Sequence, residues 1–251
     1  MKEFKQLNSW HWADYDELES TNDMALCLSE DIDNSKKIVI TAKMQTKGRG
    51  RCGRRWIAGQ DNLFMSLLLK WNLREAGALV LILGLSLLET IKKFSNGIEA
   101  CLKWPNDVLV KGKKISGILL ETGKNGAIVA GIGVNIAVAP EGENILYPVT
   151  SLKDEGINCT RTEFLSVYLN KFDEVCAFFY KNGMAELSRL WQKNAKGIGE
   201  QIRVKMPKKE EKGIFCGLDN QGFLLLRCDN GGLKTIGAGD VFFDESSEKE
   251  G

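Results

Sequence analysis

The residues best suited to chemistry lie in one glycine-rich basic stretch, MQTKGRGRCGRRW at 44–56. Glycines between arginines let backbone N–H groups approach a ligand while the guanidinium groups bracket it. Arginine also binds carboxylates and phosphates through paired hydrogen bonds. The stretch therefore predicts a site for a compact anion. Its basic residues are Lys47, Arg49, Arg51, Arg54 and Arg55, and Lys43 lies just before them.

The same stretch contains GRGRCG, which satisfies the G-x-G-x-x-G pattern of a dinucleotide-binding loop. Such a loop opens a helix, whose free N–H groups meet the pyrophosphate. Here the next fifteen residues, RRWIAGQDNLFMSLL, hold a turn and then an apolar strand, so a dinucleotide loop is rejected. A nucleic-acid patch and a solvated surface loop stay open as alternatives. The apolar strands on both sides tether the loop near a sheet, which favours a small anion.

A second group of charges lies among apolar strands in KWPNDVLVKGKKISGILLE, residues 103–121. Charged side chains beside buried strands need partners, so Lys103, Asp107 and Lys114 are candidate site residues. The alternative for Lys113 and Lys114 is an ordinary hairpin turn.

Glycines inside predicted strands form a third group. Gly117 indicates a close approach to the backbone by another group. Gly131 and Gly133, in AGIGVNI, leave one face of a strand bare. A helix packed tightly on that face and a ligand lying on it are equally good explanations.

The composition of the whole chain excludes several classes of protein. Its 251 residues are 43% hydrophobic, which is typical of a globular protein. The formal net charge of +1 gives no overall bias toward nucleic acid or membranes. There is one histidine, His11, which we expect to be structural and to lie on a strand. Most metal centres and a Ser-His-Asp triad are thereby excluded.

Seven scattered cysteines, without C-x-x-C and without a signal peptide, predict reduced thiols in the cytoplasm. The longest apolar run, at 76–88, is too short to cross a bilayer and predicts a buried helix.

The periodicity predicts a mixed α+β domain followed by a small all-β module that begins near residue 197. Helices are expected after ESTND (19–23), at 76–95 and at about 162–190. Pro105 is expected to form a plain turn, and the end of the chain is expected to be frayed. Strands are predicted at 9–15, 36–42, 62–71, 101–110, 113–122, 126–137, 201–206, 213–219, 222–229 and 233–243.

Six motifs, in this order, resemble those of the biotin–protein ligase family. They are ESTN (19–22), QTKGRGRCGRRW (45–56), NLFMS (62–66), KWPNDV (103–108), KISGIL (114–119) and GIGVN (131–135). GIFCGLDNQGFLL (213–225) also resembles the small SH3-like domain of that family. The resemblance covers nearly the whole chain. It implies a catalytic domain at 1–196, with a mixed or antiparallel sheet flanked by helices as in class II aminoacyl-tRNA synthetases. An SH3-like β-barrel at 197–246 and a tail at 247–251 would follow.

The resemblance also implies a two-step reaction with ATP, Mg²⁺ and biotin. The biotin carboxylate attacks the α-phosphate of ATP, and a lysine of a biotin carboxyl carrier protein then attacks the resulting biotinyl-5′-adenylate. Neither step needs a histidine or a covalent enzyme intermediate, which agrees with a chain that has one histidine.

The roles of individual residues are carried over by matching the motifs. Arg49, Arg51, Lys114 and Asp107 would be catalytic, and Asp107 would either meet magnesium or orient the acceptor lysine. The biotin site would use Ser20, Thr21, Asn22, Gln45, Gly48, Arg49, Gly50, Arg51, Lys114, Gly117, Gly131 and Gly133. The ATP site would use Arg51, Arg54, Trp56, Lys103, Asn106 and Asn135, with Trp56 stacked on adenine.

The chain departs from the family pattern at Lys47, where alanine is more usual. We expect this lysine to add charge at the mouth of the site. Cys52 has no assigned role. Some members carry an amino-terminal DNA-binding domain, and the nineteen residues before Ser20 are too few for one, so DNA binding is not expected. A homodimer is an open possibility. Lipoate–protein ligase and a non-catalytic nucleic-acid-binding protein are the rival functions.

Overall fold

The chain forms two β-sheets, and a computed structural model describes residues 3–29, 36–57, 59–141 and 147–243. The predicted tail at 247–251 and the last residues of the second predicted domain lie outside these ranges. The larger sheet has eight strands in the order β1-β2-β3-β4-β8-β7-β6-β5. Their bounds are β1 Lys5–Leu7, β2 Trp10–Leu18, β3 Ile38–Gln45, β4 Leu63–Lys70, β5 Ala100–Lys103, β6 Asp107–Val110, β7 Lys113–Thr122 and β8 Ala127–Val134.

The pairing in this sheet confirms the predicted mixed α+β class. Strands β2 and β3 run parallel, and helix α1 (Thr21–Leu28) forms the crossover between them. The other neighbouring pairs are antiparallel. The central strand β4 is buried along most of its length, as its largely apolar sequence predicts. His11 lies on β2, where it meets Phe4 edge-on, which agrees with a strand-borne structural histidine.

One predicted strand is corrected. The run at 101–110 is two short strands, β5 and β6, that form a tight hairpin in which Lys103 pairs with Asp107. Pro105 lies in the turn and follows a cis peptide bond. Because proline has no N–H to donate to a ladder, pairing cannot continue through it, and the expected turn is confirmed.

Two long helices cover the sheet on one side. Helix α2 (Ala76–Phe94) packs against α3 (Arg161–Lys193) and is buried on most of its surface. Thr160 begins α3 with a capping box completed by Glu163, and Gly183, with φ of 79°, interrupts its helical geometry. Among the described residues, no helix is long and apolar enough to cross a membrane.

The carboxyl-terminal module is a five-stranded antiparallel sheet in the order β12-β11-β10-β9-β13. The predicted strand at 233–243 is corrected, because it divides into two strands on opposite edges of this sheet, separated at Gly237–Gly239. The strands are β9 Gln201–Lys205, β10 Glu210–Leu218, β11 Leu224–Cys228, β12 Leu233–Ile236 and β13 Asp240–Phe243.

This module is docked against the first domain by hydrogen bonds between the two units. Trp104 Nε1 donates to the Gly222 carbonyl at 3.1 Å, and the Leu218 amide donates to Gln192 Oε1 at 3.1 Å. Strand β13 is thereby held close to the basic loop.

Candidate active site

The basic loop, β7, β8 and the start of α1 enclose one pocket, and β13 contributes Asp240 to its wall. Its volume is about 160 Å³, which is smaller than the roughly 300 Å³ at the lower end of ordinary ligand sites. Gly48 and Lys103 do not line it. The other predicted site residues do: Ser20, Thr21, Asn22, Gln45, Arg49, Gly50, Arg51, Arg54, Trp56, Asn106, Asp107, Lys114, Gly117, Gly131, Gly133 and Asn135.

The basic loop closes on itself as a small hairpin. The Gly50 amide donates to the Arg54 carbonyl at 2.7 Å, and the Trp56 amide donates to the Gly48 carbonyl at 2.9 Å. A side chain at Gly48 would collide with the Trp56 carbonyl. Gly48 therefore provides clearance for the loop's own backbone, rather than the direct clearance for a ligand that the sequence predicts.

The arginines of this hairpin are held by oxygens from three different elements. Arg49 pairs with both carboxylate oxygens of Asp23, at 2.6 and 2.7 Å, and also contacts Glu121 at 3.2 Å. Arg51 donates to Asn106 Oδ1 at 2.7 Å. These partners aim the two guanidinium groups along one wall of the pocket.

Arg54 connects the loop to the carboxyl-terminal module through an ion pair of 2.9 Å with Asp240. Lys43 and Lys47 instead face solvent and form exposed ion pairs with Asp16 and Glu19. Lys47 is consequently neutralised at the surface, and it does not line the pocket as additional charge.

The Trp56 indole lies across two paired glycines. Gly117 and Gly133 are register partners on β7 and β8, and a side chain on either would collide with the Trp56 ring. Lys114 Nζ lies 5.4 Å from the centroid of the same ring. The bare strand face at Gly133 is thus covered by a tryptophan from the basic loop, which neither sequence explanation anticipated.

Gly131 has a different neighbour. A side chain there would collide with the Asn22 amide, which packs against β8 from the first turn of α1. Packing of a helix residue on the strand therefore explains Gly131.

Lys114 and Asp107, which both line the pocket, form an ion pair of 2.7 Å. Asp107 Oδ1 is buried and, among the described residues, accepts no properly aligned hydrogen bond. Asn106, beside it, fixes the turn by donating from Nδ2 to the Ile118 carbonyl at 2.8 Å. The KWPND turn therefore holds the Asp107 carboxylate against the Lys114 ammonium group.

The opposite end of the pocket is neutral and more deeply buried. Ser20, Thr21 and Asn22 are each about 4% exposed or less. Ser20 is the N-cap residue of α1, but its side chain makes no capping hydrogen bond. Gln45 Oε1 accepts from the Thr21 amide at 2.7 Å and lies 3.0 Å from Thr21 Oγ1. This end is suited to hydrogen-bonding recognition of an uncharged group.

Two predicted nucleotide-binding residues occupy contrasting positions. Asn135 lines the pocket, and its buried Oδ1 has no hydrogen-bond partner among the described residues. Lys103 is only 4% exposed, and its Nζ lies 3.2 Å from the centroid of the Tyr147 ring. Burial lowers the pKa of Lys103 to about 8. It lies behind Tyr147, which itself lines the pocket.

The residues near the site that sequence reasoning missed include Ser66, Glu121, Tyr147 and Asp240. The first two carried a signal, because Ser66 is a polar residue within an apolar strand and Glu121 lies near the end of another. Tyr147 and Asp240 reach the pocket only through tertiary packing and had no local signal.

All seven cysteines are free thiols. Cys52 lies in the turn of the basic loop with a φ of 56°, exposed to solvent.

Comparison with known proteins places this geometry in a family. The model described as "Biotin/lipoate A/B protein ligase family" matches residues 16–138, and "Biotin protein ligase C terminal domain" matches residues 197–244. A biotin--[acetyl-CoA-carboxylase] ligase of Paracoccus denitrificans is 33% identical over 240 residues, covering 90% of this chain and 97% of the relative. The chain belongs to the biotin protein ligase family.

Other members extend this result. A biotin protein ligase from Aquifex aeolicus, solved in complex with biotin and ATP, has a TM-score of 0.78 and 30% identity, covering 92% of this chain and 97% of that chain. The bifunctional ligase/repressor BirA of Escherichia coli is 32% identical, and the match covers 83% of this chain and 66% of BirA. The α+β fold with a carboxyl-terminal β-module is therefore that of the biotin protein ligase family.

Proposed function

We propose that the protein activates biotin with ATP to biotinyl-5′-adenylate and transfers the biotinyl group to a lysine of a biotin carboxyl carrier protein. The observation that carries the proposal is the two-ended pocket. A buried neutral end with hydrogen-bonding side chains adjoins a basic end that contains Arg51, Arg54 and Lys114.

The neutral end fits a cyclic urea, which is compact, uncharged and rich in hydrogen-bonding atoms. Ser20, Thr21, Asn22 and Gln45 would contact it. The apolar remainder of biotin would then extend past Trp56 toward the arginines, so that its carboxylate reaches the basic end.

The basic end supplies what carboxylate activation needs. A carboxylate oxygen attacks the α-phosphorus, the bond from that phosphorus to the bridging oxygen breaks, and pyrophosphate leaves with the electron pair. Two anions meet in this step, so preorganised cations lower its barrier. Arg51 and Lys114 would neutralise the carboxylate and α-phosphate, and Arg54 would reach the departing phosphates.

The adenosine would lie beside Trp56 and Asn135. An indole face is a good stacking platform for a base. The unpartnered Asn135 Oδ1 would accept a hydrogen bond from the nucleoside, which removes the cost of leaving it buried without a partner.

Magnesium would accompany ATP, and Asp107 fits it. Magnesium in nucleotide sites is commonly held by one or two carboxylates together with phosphate oxygens. The described residues contain no group of three or more potential metal-ligating side chains, so the nucleotide would supply most of the ligands. The ion would offset phosphate charge. Orientation of the acceptor lysine by Asp107 is the alternative role.

In the second step the acceptor amine attacks the acyl carbon of the mixed anhydride. The bond from that carbon to the phosphate oxygen breaks, AMP leaves, and the amine loses a proton. The carrier would be that of acetyl-CoA carboxylase or another biotin-dependent carboxylase, in the cytoplasm, and a homodimer is compatible with the proposal.

The state of the loop's charges argues against the nucleic-acid alternative. Lys43, Lys47, Arg49 and Arg54 are all paired with carboxylates, so four of the six basic residues at 43–55 are already neutralised before a polyanion could bind. We therefore do not expect DNA binding.

Transfer to a carrier protein tests the proposal. The purified protein, ATP, Mg²⁺, biotin and a carrier domain should increase the carrier's mass by one biotinyl group. Replacement of the carrier's acceptor lysine by arginine is the matched control and should abolish the gain. Absence of any gain with the intact carrier, from a protein shown to be folded, would exclude this function.

A further inference from the structure

A chain of polar side chains runs beneath the neutral end of the pocket. Asn22 Nδ2 donates to Glu121 Oε2 at 2.6 Å, Ser66 Oγ lies 2.5 Å from Asn22 Oδ1, and Ser66 Oγ lies 2.7 Å from Thr21 Oγ1. Ser66 is fully buried on β4. Neither Ser66 nor Glu121 lines the pocket, so Ser66 acts on a ligand through Thr21 and Asn22, and Glu121 acts through Asn22 and Arg49.

The Glu121 carboxylate at one end of this series of hydrogen bonds determines which groups donate and which accept. Glu121 already accepts from Arg49 and, as a carboxylate, can only accept. The Asn22 atom facing it must therefore be the amide nitrogen. The Asn22 oxygen consequently faces Ser66 and needs a proton from it.

The number of hydroxyl protons on Ser66 and Thr21 then determines which group donates at each remaining contact. A serine hydroxyl has one proton, and Ser66 commits it to Asn22. The 2.7 Å contact between Ser66 and Thr21 is then a hydrogen bond only if Thr21 is its donor. The single hydroxyl proton of Thr21 thus lies toward Ser66, away from Gln45.

The result is a pair of acceptor oxygens at the pocket wall. Thr21 Oγ1 and Gln45 Oε1 lie 3.0 Å apart, which is the longest of the three hydroxyl contacts. Two hydroxyl protons cannot serve three contacts, so with the shorter two satisfied no hydroxyl proton lies between Thr21 and Gln45. The Gln45 oxygen is held in place because it also accepts from the Thr21 amide at 2.7 Å. A ligand N–H directed between the two oxygens satisfies both, whereas a ligand oxygen is repelled.

We propose that Ser66 and Glu121 are positioning residues that orient the Thr21 hydroxyl as an acceptor and thereby select a ligand with an N–H group at this point. The inference rests on the proposed function, because it identifies the ligand group as a ring N–H of the cyclic urea. Glu121 fixes the orientation of the Asn22 amide, which makes Ser66 a donor to Asn22. Thr21 then donates to Ser66 and turns an acceptor oxygen toward the pocket.

The test compares biotin with cyclic carbamates in which either ring N–H is replaced by a ring oxygen. The readout is ATP–pyrophosphate exchange, expressed as the ratio of kcat/KM for biotin to that for each carbamate. The wild-type protein should reject one of the two carbamates by about 10⁴-fold, as sites built around one hydrogen bond do.

Ser66→Ala should lower that ratio by about tenfold or more, because the Thr21 proton is released and can be donated to the carbamate oxygen. The KM for ATP should stay unchanged. Ser86→Ala is the matched control: Ser86 is equally buried, but its hydroxyl donates to the Ile82 carbonyl within α2. This variant should keep the wild-type ratio.

Ser66→Cys and Glu121→Ala provide independent tests if Ser66→Ala does not fold. The thiol is a weak donor and should give an intermediate ratio, whereas Glu121→Ala frees Asn22 to turn over and should lower the ratio. An unchanged ratio in the folded variants, even with lower activity on biotin, would overturn the inference and make these residues structural only. If the wild-type protein exchanges no pyrophosphate with biotin, the proposed function fails instead.

Discussion

The two ends of the pocket are built in different ways. The neutral end consists of buried side chains from α1, β3 and β4 that hydrogen-bond to one another in a fixed order. The basic end consists of partly exposed arginines and a lysine, each held by a carboxylate or amide oxygen from another element. At the first end a ligand meets an arrangement set by the fold, and at the second it must replace existing partners.

This difference indicates how the work of the site is divided. Buried hydrogen-bonding groups discriminate strongly, because a mismatched ligand leaves them without partners. Exposed ion pairs contribute little to stability and are readily exchanged. We therefore expect changes at the neutral end to alter which acid is used, and changes at the basic end to alter nucleotide binding and rate.

The largest expected effect at the basic end is that of Arg51→Ala. Its guanidinium is held by Asn106 and by the Gly239 carbonyl. Loss of one preorganised cation should slow adenylate formation by about 10²- to 10³-fold and speed release of the adenylate. Rapid-quench measurement of the adenylate checks this. Lys47→Ala, which removes a surface-paired cation of the same loop, should be near wild type, and an equal loss in both variants would contradict the assignment.

Two neighbouring glycines provide a matched pair. Gly133→Ala should displace Trp56 and raise the KM for ATP by about ten- to a hundredfold, since stacking on a base contributes about 1–3 kcal/mol. Gly131→Ala should displace Asn22 and raise the KM for biotin instead. Steady-state kinetics with each substrate varied separates the two. If both variants change the KM of the same substrate, the two ends of the pocket do not bind different substrates.

A smaller effect is expected for Asp240→Asn. The ion pair with Arg54 is partly exposed, and the phosphates of ATP must compete with Asp240 for this arginine. Removal of the carboxylate should lower the KM for ATP by about two- to threefold, corresponding to roughly 0.5 kcal/mol. A rise in KM would show instead that Asp240 holds Arg54 in its binding position.

The last prediction concerns stability and pH, not catalysis. Burial lowers the pKa of Lys103 to about 8 from its ordinary value of 10.5. Between these values the unfolded chain holds a proton that the folded protein has released, so this lysine makes the free energy of unfolding rise with pH across that window. Lys103→Met should lack this contribution. Urea unfolding at pH 7.5 and pH 10 gives the free energy of unfolding of both proteins. If that free energy changes with pH by the same amount in the wild type and in the variant, the lowered pKa of Lys103 is contradicted.

The sequence predicted most of the sheet, because its strands are apolar runs bounded by turn residues. The prediction of a single strand was wrong at 101–110, although the turn at Pro105 was expected, and at 233–243, where the chain turns at 237–239. In both places the residues look like strand interruptions, but only tertiary pairing decides whether the chain continues or reverses.

Where a motif carries a predicted site residue, as for Arg51, Lys114 and Asn135, the structure places that residue on the pocket wall, and its role stays a prediction. The partners of those residues were not predicted. Asp240 is 186 residues from Arg54 in the sequence, and no local pattern links them.

The most direct measurement of the central claim is ATP–pyrophosphate exchange by the purified protein, with biotin and with lipoate in parallel. The account predicts rapid exchange with biotin, little with lipoate, and none without an acid, because the neutral end recognises a cyclic urea that lipoate lacks. Exchange with lipoate and none with biotin would contradict it.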